Sequence, residues 1–368
     1  MKQEVALRVL GQIMDWDEDR ARQEFSWLKL MAKFKYDDYQ DYMAGARFVE
    51  CLADWLQQFD RAHRESAYMF VRSRLLYFSA PEIQHLVELV YPSLVERILT
   101  TAIAETCSVP RYLVWSTAVA ADLYRVLLRK CLFLGLSDGA RIDVFRRANV
   151  GIISNEQVVL ATEINDSKWD GLLSDLRKSL NDPTAQFQFV FLLDDFVATG
   201  TTLIRKEGSE WKGRLPKFWR AVKENDKLGT HFDPAFRVIV HHYVATSKAS
   251  AIIRKRAEEA QTELRSAGWF ASVDFDFGIV LPDSLCISAE SDPAFCEVVE
   301  NYYDHSLYND HFKLSGVPHA KFGFGGLGLP LVLEHNTPNN SVSLLWAESN
   351  GDQGHPMRAL FRRRQRHS

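Results

Sequence analysis

The chain has 368 residues, 46% of them hydrophobic and 25% charged, which is typical of a globular protein with one large domain and an attached region. Its formal net charge of -4 gives no general signal for polyanion binding. The five cysteines lack CxxC spacing and nearby histidines at ligand spacing, so neither a disulfide framework nor a zinc site is indicated.

The two ends of the chain carry little information about targeting. Residues 1–16 include acidic side chains and lack both a basic start and a continuous apolar run, so no secretory signal is visible. No window is long and apolar enough to span a bilayer, and we expect a cytoplasmic protein without membrane contact. Residues 351–368 form a basic tail, expected to be disordered and solvated, with nucleic-acid contact as the minority alternative. Its arginines are Arg358, Arg362, Arg363, Arg364 and Arg366.

The first 130 residues are predicted to form a helical region. Apolar side chains return every three or four positions, as in Phe48, Leu52, Trp55, Leu56 and Phe59. Residues 79–82 give a capping-box pattern with an early proline, ahead of an apolar-periodic helix over residues 83–99. Ser108 and Pro110 are predicted to open another helix that reaches about Lys130.

From Cys131 the pattern changes to short apolar runs that alternate with helical segments. The predicted strands are Cys131–Leu136, Val158–Ile164, Phe187–Leu193, Phe236–Ala245 and Phe270–Leu281. A helix is predicted over residues 247–267, where Gly268 is suited to end it. This alternation predicts an α/β core with a mostly parallel sheet over residues 131–285. Ligands bind such sheets beyond the carboxyl ends of the strands, so the loops after Leu136 and Leu193 are the candidates.

The segment 190–202 combines the features of a sugar-phosphate site. An apolar strand ends at the adjacent carboxylates Asp194 and Asp195, which can accept hydrogen bonds from vicinal ribose hydroxyls. A small, hydroxyl-rich turn and a helix-like start follow, and such a turn can form an anion nest at a helix N-terminus. Gly200 would supply a positive φ angle or allow close approach of a phosphate.

This segment resembles the thirteen-residue signature of the type I phosphoribosyltransferases, in which four apolar residues and two acids precede a Thr-Gly-Thr loop. The resemblance implies that Asp194 and Asp195 hold the ribose hydroxyls of 5-phosphoribosyl pyrophosphate. It also implies that a second group of residues binds the 5-phosphate: Ala198, Thr199, Gly200, Thr201 and Thr202. The alternative interpretation is a strand followed by an N-capping turn with incidental acids.

A second loop follows the first strand of the sheet, at the place where type I enzymes carry their pyrophosphate-binding loop. It consists of Ser137, Asp138, Gly139, Ala140 and Arg141. The Arg141 guanidinium would be a planar, permanently charged donor to an oxygen-rich anion. The alternative is a surface turn whose charged side chains are simply solvated.

Over most of its length the chain is similar to a narrower group, the phosphoribosyltransferase-like (PRTase-CE) proteins of bacterial conflict and anti-phage defence systems. The segments that carry this similarity are Lys35–Tyr39, Arg47–Phe48, Trp55–Leu56, Gly135–Asp143, Val190–Thr202, Asn336–Asn340 and Leu344–Trp346. The similarity implies protein partners from a defence operon, including a reverse transcriptase nucleoprotein of the retron type, and allows an oligomer.

Three further features of the sequence have a structural and a functional interpretation. The glycine-rich run 323–328 lacks a strand–turn–helix context, so a dinucleotide loop is not indicated. Residues 286–350, which include this run, are either a hood over the acceptor or a plain structural region. The adjacent His241 and His242 interrupt a strand, so at most one should face a buried side, and a structural role is favoured over a catalytic one. The acids Asp274 and Asp276 are expected to be solvated and not to bind a metal.

The sequence therefore predicts an α/β protein of phosphoribosyltransferase type, with an N-terminal helical region and a C-terminal hood. The expected reaction displaces pyrophosphate from phosphoribosyl pyrophosphate and transfers the phosphoribosyl group to a nitrogen nucleophile or to water. We expect Mg²⁺ to be held by substrate oxygens and water near Asp194 and Asp195, with no direct protein ligand. The alternatives are a non-catalytic module that senses phosphoribosyl pyrophosphate or a nucleotide, and a structural subunit with a vestigial pocket.

Overall fold

The computed structural model describes residues 3–162 and 165–363 of the chain. It divides into two compact units: unit 1 is Met1–Ile83 with Asp283–Ser368, and unit 2 is Gln84–Pro282. Each unit has its own hydrophobic core. Residues 286–350, the segment considered as a hood, thus lie in the same unit as the N-terminal helices.

The N-terminal part of unit 1 is mainly helical, as the apolar periodicity predicts. Its elements are α1 (Gln3–Ile13), α2 (Glu18–Phe34), α3 (Phe48–Gln57), α4 (Arg61–Ser73) and the short strand β1 (Leu76–Phe78). The amphipathic stripe of α3 is fully buried at Phe48, Leu52, Trp55 and Leu56. These side chains form part of the core of unit 1.

The next helix, α5 (Ala80–Leu89), begins at the predicted capping box. The backbone N–H and the hydroxyl of Ser79 donate to the Glu82 carboxylate at 2.8 and 2.7 Å. A wide π-helical turn, Val90–Val95, then joins α5 to α6 (Glu96–Cys107). Pro92 lies in this turn, which accommodates a residue that cannot donate a backbone hydrogen bond.

The prediction of one helix from Ser108 to about Lys130 is wrong. Ser108 adopts a left-handed conformation, with φ 54°, and caps α6 instead of opening a new helix. A short 3₁₀ segment, Arg111–Ser116, follows, and only α7 (Ala120–Arg129) is α-helical. The proline and the left-handed residue before it therefore act as helix terminators in this stretch.

Unit 2 contains a parallel sheet with helices between its strands, as predicted. Its elements after α7 are β2 (Cys131–Gly135), α8 (Ile142–Ala148), β3 (Val158–Val159), α9 (Asp166–Leu180), β4 (Phe187–Val197), β5 (Arg205–Glu207), β6 (Glu210–Lys212), α10 (Arg214–Glu224), α11 (Asp226–Gly229), β7 (Phe232–Thr246), α12 (Ser247–Leu264) and β8 (Ser272–Leu281). The five-stranded sheet has the order β3-β2-β4-β7-β8, and all its neighbours pair in parallel. This doubly wound order changes direction between β2 and β4.

Both faces of this sheet are buried. On one face, apolar side chains of β2, β4 and β7 pack with α9, α10 and α12, with Leu192 and Ile253 among the fully buried residues. On the other face, Phe133 of β2 lies against Phe191 of β4 and Phe145 of α8, at ring distances of 5.0 and 4.9 Å. This double cover explains why the strands are nearly continuous apolar runs.

The predicted strands are observed, with shifted ends. Strand β4 runs on past Leu193 to Val197, so both adjacent acids lie within the strand. The run Val158–Ile164 is a strand only over Val158–Val159, and Ile164 lies outside the described residues. Helix α12 continues into a 3₁₀ turn that ends at Gly268, which takes the predicted left-handed conformation with φ 79°.

The C-terminal part of unit 1 packs around short elements. These are α13 (Pro293–Asn301), α14 (Asp310–Lys313), β9 (Leu331–Leu333), which pairs in parallel with β1, and α15 (Ser343–Trp346). In the glycine-rich run, the Phe324 backbone N–H donates to Asn339 at 2.7 Å, and the Asn340 side chain donates to the Phe324 carbonyl at 2.9 Å. These asparagines therefore hold a folded loop together.

The prediction of a solvated C-terminal tail is wrong for its described part. Met357, Leu360 and Phe361 are buried, and Phe361 packs against aromatic rings such as Tyr39, 5.2 Å away. Arg362 forms an ion pair with Glu348 at 2.9 Å. Apolar residues between the arginines bring this segment into the core, while Arg364 and Arg366 lie outside the described residues.

Within residues 3–162 and 165–363, no helix is both long and apolar enough to cross a membrane.

Candidate functional site

The two predicted loops lie side by side at one edge of the sheet in unit 2. Strands β2 and β4 are neighbours, with Gly135 in register with Leu193. The pairing continues one residue beyond β2, where the Leu136 N–H donates to the Leu193 carbonyl at 2.9 Å. Because the strand order changes direction between β2 and β4, the following helices diverge to opposite faces and leave a crevice between the loops.

Asp194 is the centre of a polar network that joins three elements. Its side chain is only 4% exposed, and it accepts hydrogen bonds from the Ser137 hydroxyl and the Arg214 guanidinium. Ser137 belongs to the loop after β2, and Arg214 is the first residue of α10. The Asp194 carboxylate therefore links the loop after β2 to the start of α10.

The ionisation of Asp194 is finely balanced. Burial, and secondarily the charge of Asp195, raise the pKa of Asp194 to about 7, although Arg214 and the Ser137 hydroxyl favour the charged form. A carboxyl group with a pKa near neutrality is typical of functional sites, because it can change its protonation state under physiological conditions.

His242 lies beside Asp194 on the neighbouring strand β7. The two residues are in register, and the His242 Nε2 atom is 3.9 Å from an Asp194 oxygen. Burial, helped by the neighbouring His241, lowers the pKa of His242 to about 3, so its imidazole is neutral at neutral pH. Its Nδ1 atom is buried with no hydrogen-bond partner among the described residues. His242 is thus a neutral neighbour of the network and not a counter-ion.

Asp195 points to the other side of β4 from Asp194 and lies against the loop after β2. It is partly exposed, and its carboxylate accepts the Phe196 N–H at 2.8 Å. A side chain at Gly139 would overlap the Asp195 carboxylate, so glycine is what lets the loop and this acid approach each other. The two adjacent acids therefore contact the loop at different points, Asp194 through Ser137 and Asp195 through Gly139.

The loop after β2 is a short, internally bonded turn. The Ser137 hydroxyl accepts the Gly139 N–H at 3.1 Å, and residues Asp138–Ala140 form one 3₁₀ turn. The Tyr243 hydroxyl, whose pKa is raised well above its usual value by burial and which thus keeps its proton, donates to the Ala140 carbonyl. Arg141 is left-handed, with φ 49°, an unfavourable conformation that turns the chain into α8.

The loop after β4 has the backbone of an anion nest. No atom among residues 3–162 and 165–363 accepts a hydrogen bond from the backbone N–H groups of Thr199, Gly200, Thr201 or Thr202. The hydroxyls of Thr199 and Thr201 are 2.9 Å apart and hydrogen-bonded to each other. Four consecutive backbone donors with hydroxyls beside them can bind a phosphate.

Gly200 has the predicted positive φ angle, 70°, and a second constraint that the sequence does not reveal. A Cβ atom at this position would be 2.7 Å from Ile253 Cγ1 of α12. Close packing against a helix behind the loop is therefore the reason for glycine here, in addition to its backbone conformation.

Two arginines hold this loop from behind. Arg256 of α12 donates to the carbonyls of Thr199 and Ile204 at 3.5 and 3.1 Å, and Arg205 donates to the Thr201 carbonyl at 3.1 Å. Since these bonds use carbonyl oxygens, they leave the N–H groups of the loop for a ligand.

The helix-like start expected directly after Thr202 is absent from the structure. The Leu203 and Ile204 N–H groups fold back to the Gly200 carbonyl, and the antiparallel hairpin β5–β6 intervenes before α10. The turn closes on itself because Gly200 allows its positive φ angle. Helix α10 nevertheless begins close to the loop, because the Arg214 N–H donates to the Thr202 carbonyl at 3.0 Å.

The histidine prediction needs correction. His241 and His242 are 3% and 2% exposed, so both are buried, because helices cover both faces of the sheet. The Asp276 carboxylate accepts a hydrogen bond from His241 Nδ1 at 2.8 Å, and it also pairs with Arg97 at 2.9 Å. Asp274 pairs with Arg237 at 2.8 Å. The strand acids are thus half-exposed partners in ion pairs, and not simply solvated.

Sequence reasoning missed Arg214, whose guanidinium donates to the Asp194 carboxylate. The only hint in the sequence is a basic residue directly after Gly213, at the start of an amphipathic helix. A cation in the first turn of a helix is disfavoured by the helix dipole and so indicates a nearby acid. The identity of that acid depends on the tertiary fold.

Among the described residues, no group of three or more His, Cys, Asp and Glu side chains is arranged to hold a metal ion. The oxygen atoms of Asp194 and Asp195 are the hard donors of the crevice, and they suit a cation that retains water and binds through its ligand.

Comparison with known proteins gives one match. The protein family described as PRTase-CE matches residues 52–363, which include both loops and both acids of the site. Neither the curated proteins nor the solved structures gave a match. Since the match covers most of the chain, and the parallel sheet carries the phosphoribosyltransferase signature at its carboxyl edge, the chain belongs to the PRTase-CE family of phosphoribosyltransferase-like proteins.

Proposed function

We propose that the protein binds 5-phosphoribosyl pyrophosphate with Mg²⁺ in the crevice between the loops after β2 and β4. The observation that carries this proposal is the direct link of the two loops through the adjacent acids. Asp194 is bonded to Ser137, and Asp195 contacts Gly139, while the four N–H donors of residues 199–202 lie at the end of the same strand. A ligand with a phosphate, a ribose and a pyrophosphate matches the order of these groups.

The 5-phosphate takes the nest of the loop after β4. Its charge is stabilised by the backbone N–H groups of Thr199, Gly200, Thr201 and Thr202 and by the threonine hydroxyls. Ala198, which is buried, leads the chain into this loop. The ribose hydroxyls are held by the carboxylates of Asp194 and Asp195. The pyrophosphate takes the loop of residues 137–141, where the Arg141 guanidinium stabilises charge on the leaving group.

The reaction is displacement of pyrophosphate from the anomeric carbon. The carbon–oxygen bond to pyrophosphate breaks as a bond forms to a nitrogen nucleophile or to water, and positive charge develops on the ring. The carboxylate of Asp194 or Asp195 orients the ring and stabilises that charge. When bound, Mg²⁺ would be held near the carboxylates of Asp194 and Asp195 through the ligand and water, and it would supply positive charge that stabilises the pyrophosphate leaving group.

The biological role we propose is that of an effector in a bacterial defence system, acting in the cytoplasm. Its partners would be products of the same operon, including a reverse transcriptase nucleoprotein, and an oligomer is compatible with this role. A phage-plating assay with the complete operon, carrying either the wild-type chain or Asp195→Ala, tests it. If protection against phage is unchanged by the substitution, the defence role does not depend on the crevice.

The binding proposal is tested by titration calorimetry with phosphoribosyl pyrophosphate and Mg²⁺. The wild type should bind saturably, and the double variant D194A/D195A should not. Asp175→Ala is the matched control, because Asp175 is an exposed aspartate on α9 in the same unit. Absence of binding by the wild type would overturn the proposal, and equal binding by the double variant would overturn the assignment of the acids.

A second function, sensing without turnover, is favoured by one observation. Asp194 is already bonded to Arg214 and is almost completely buried, so the crevice resembles a preformed binding site in which one carboxylate is occupied by a protein partner. Single-turnover release of pyrophosphate separates the two functions. An enzyme releases pyrophosphate with an acceptor or water, and Asp195→Ala should slow this release strongly while the fold is retained. A sensor binds the ligand and releases none.

A further inference from the structure

Arg214 is placed where it can control the ribose end of the crevice. It is the first residue of α10, and the backbone at this point is fixed by two hydrogen bonds, from the Arg214 N–H to Thr202 at 3.0 Å and from the Leu215 N–H to Leu203 at 3.1 Å. Gly213 before it has φ 116° and lies tightly against the Leu203 backbone. The start of α10 is therefore anchored to the end of the loop that follows β4.

The side chain of Arg214 connects this anchor to Asp194. Its guanidinium donates to the Asp194 carboxylate oxygen that does not accept from Ser137. Arg214 is 30% exposed, whereas Asp194 is 4% exposed, so the arginine covers the acid from the solvent side. Other polar neighbours of Asp194 include Asp195 on its own strand and the neutral His242 on β7. Arg214 is the cation in this set.

Arg214 occupies an electrostatically unfavourable position in its helix, and its hydrogen bond to Asp194 offsets this cost. A positive charge in the first turn of a helix opposes the helix dipole. A buried carboxylate also requires a charged or hydrogen-bonding partner to remain ionised. The Arg214 guanidinium is such a partner and favours the ionised form, and its anchored backbone limits the directions in which it can meet the carboxylate.

We propose that Arg214 is a positioning residue, which orients the Asp194 carboxylate for the ribose and couples that orientation to the phosphate-binding loop. This inference rests on the proposed function. Arg214 acts through Asp194 and does not contact the ligand. Occupation of the loop by a phosphate and engagement of the ribose by Asp194 are thereby linked through one residue.

The test compares Arg214→Ala with Arg220→Ala, which is a matched control on the same helix. Arg220 is 31% exposed, close to the 30% of Arg214, and it donates to the Trp211 carbonyl away from Asp194. Affinity for Mg²⁺-phosphoribosyl pyrophosphate should fall at least about tenfold in R214A, the size expected for a lost charge-assisted hydrogen bond, and stay within about twofold in R220A. Arg214→Lys, which retains the charge but not the planar fork, should give a smaller loss.

Inorganic phosphate distinguishes positioning from direct contact. It occupies the loop alone, so its affinity should be the same in the wild type, R214A and R220A, whereas ribose 5-phosphate should lose affinity only in R214A. A loss of inorganic phosphate binding in R214A would show that Arg214 contacts the phosphate and would overturn the inference. Unchanged binding of phosphoribosyl pyrophosphate in R214A would do the same.

The variants also need a check of folding, given by their thermal unfolding. If R214A fails to fold, the comparison of R214K with R220A decides the question in the same way. If the wild type does not bind phosphoribosyl pyrophosphate, the proposed function itself fails. If the wild type binds phosphoribosyl pyrophosphate and both R214K and R214A bind it as tightly as the wild type, only the proposed role of Arg214 fails.

Discussion

The loops after β2 and β4 lie at the same edge of one sheet but are built in opposite ways. In the first loop a backbone donor is already used, because the Gly139 N–H donates to the Ser137 hydroxyl; the Ala140 carbonyl accepts from the Tyr243 hydroxyl. In the second loop, four consecutive N–H groups find no acceptor within the described part of the chain, and the loop is held by its carbonyls. The first loop is therefore held by its own and neighbouring hydrogen bonds, while the second has the backbone arrangement of an anion nest.

Among substitutions within the two loops, the largest effect is expected from disturbing the contact between the first loop and Asp195. In Gly139→Ala, the added methyl group overlaps the carboxylate, and either the loop or the acid must move. Misplacement of a site group by about 1 Å can cost about a hundredfold in function, and we expect a loss of that order in affinity for phosphoribosyl pyrophosphate. Titration calorimetry measures it.

The control for this variant is Gly171→Ala on α9. Gly171 has open space where the methyl group would lie, and alanine favours a helix, so this variant should bind like the wild type. Equal affinities of G139A and G171A would show that Asp195 does not depend on the first loop.

A stability effect should follow from substitution in the second loop. Gly200→Ala combines a strained positive φ angle with a contact of 2.7 Å to Ile253, and we expect it to destabilise the fold by about 2–3 kcal/mol. Urea unfolding measures this cost. Gly208→Ala has a similar φ angle, 60°, and no neighbour within 4 Å, so it isolates the backbone part. If the two variants are equally destabilised, the contact with α12 contributes nothing.

The raised pKa of Asp194 predicts a pH-dependent stability. The folded protein binds this proton more tightly than the unfolded chain, so Asp194 lowers stability as pH rises from 3.8 to about 7. Asn cannot titrate, and the stability of the wild type relative to Asp194→Asn should therefore fall with pH, by at most about 1.4 kcal/mol per pH unit.

Urea unfolding of both proteins at pH values from about 5 to about 8 measures this difference in stability. The decline should end as the pH passes about 7, where Asp194 is ionised in both the folded and the unfolded states. A constant difference across this range would contradict the raised pKa.

The smallest effect is expected from the support behind the second loop. Arg256→Ala removes the donors to the Thr199 and Ile204 carbonyls, so the loop should hold a phosphate less well, by about fivefold. Both phosphoribosyl pyrophosphate and inorganic phosphate should be affected. Arg254→Ala is the control, because Arg254 lies on the same helix but donates to Phe275 at 2.8 Å. Identical affinities of the two variants would mean that the loop needs no support from α12.

Much of this site could be predicted from the sequence because its features are local. The apolar run ending at Asp194 and Asp195 predicts a buried strand, and its resemblance to the phosphoribosyltransferase signature predicts a phosphate-binding loop after it. The loop of residues 137–141 could be located because parallel strands bring their carboxyl ends to one edge. Family membership and the α/β fold are confirmed.

The parts that could not be predicted depend on contacts between distant residues. Arg214 reaches Asp194 only because the hairpin β5–β6 returns the chain to the end of the second loop. Burial of both His241 and His242 requires cover on both faces of the sheet, which strand alternation cannot reveal. Packing of Phe361 into unit 1 similarly depends on partners about three hundred residues earlier, such as Tyr39.

The central claim is that both loops bind one ligand, and titration with phosphoribosyl pyrophosphate and its fragments tests it most directly. In the presence of Mg²⁺, the wild type should bind phosphoribosyl pyrophosphate more tightly than either ribose 5-phosphate or pyrophosphate. Gly139→Ala should lower the affinity for pyrophosphate and for phosphoribosyl pyrophosphate while leaving the affinity for inorganic phosphate unchanged. Binding of phosphoribosyl pyrophosphate that is no tighter than binding of its fragments would contradict a single site formed by the two loops.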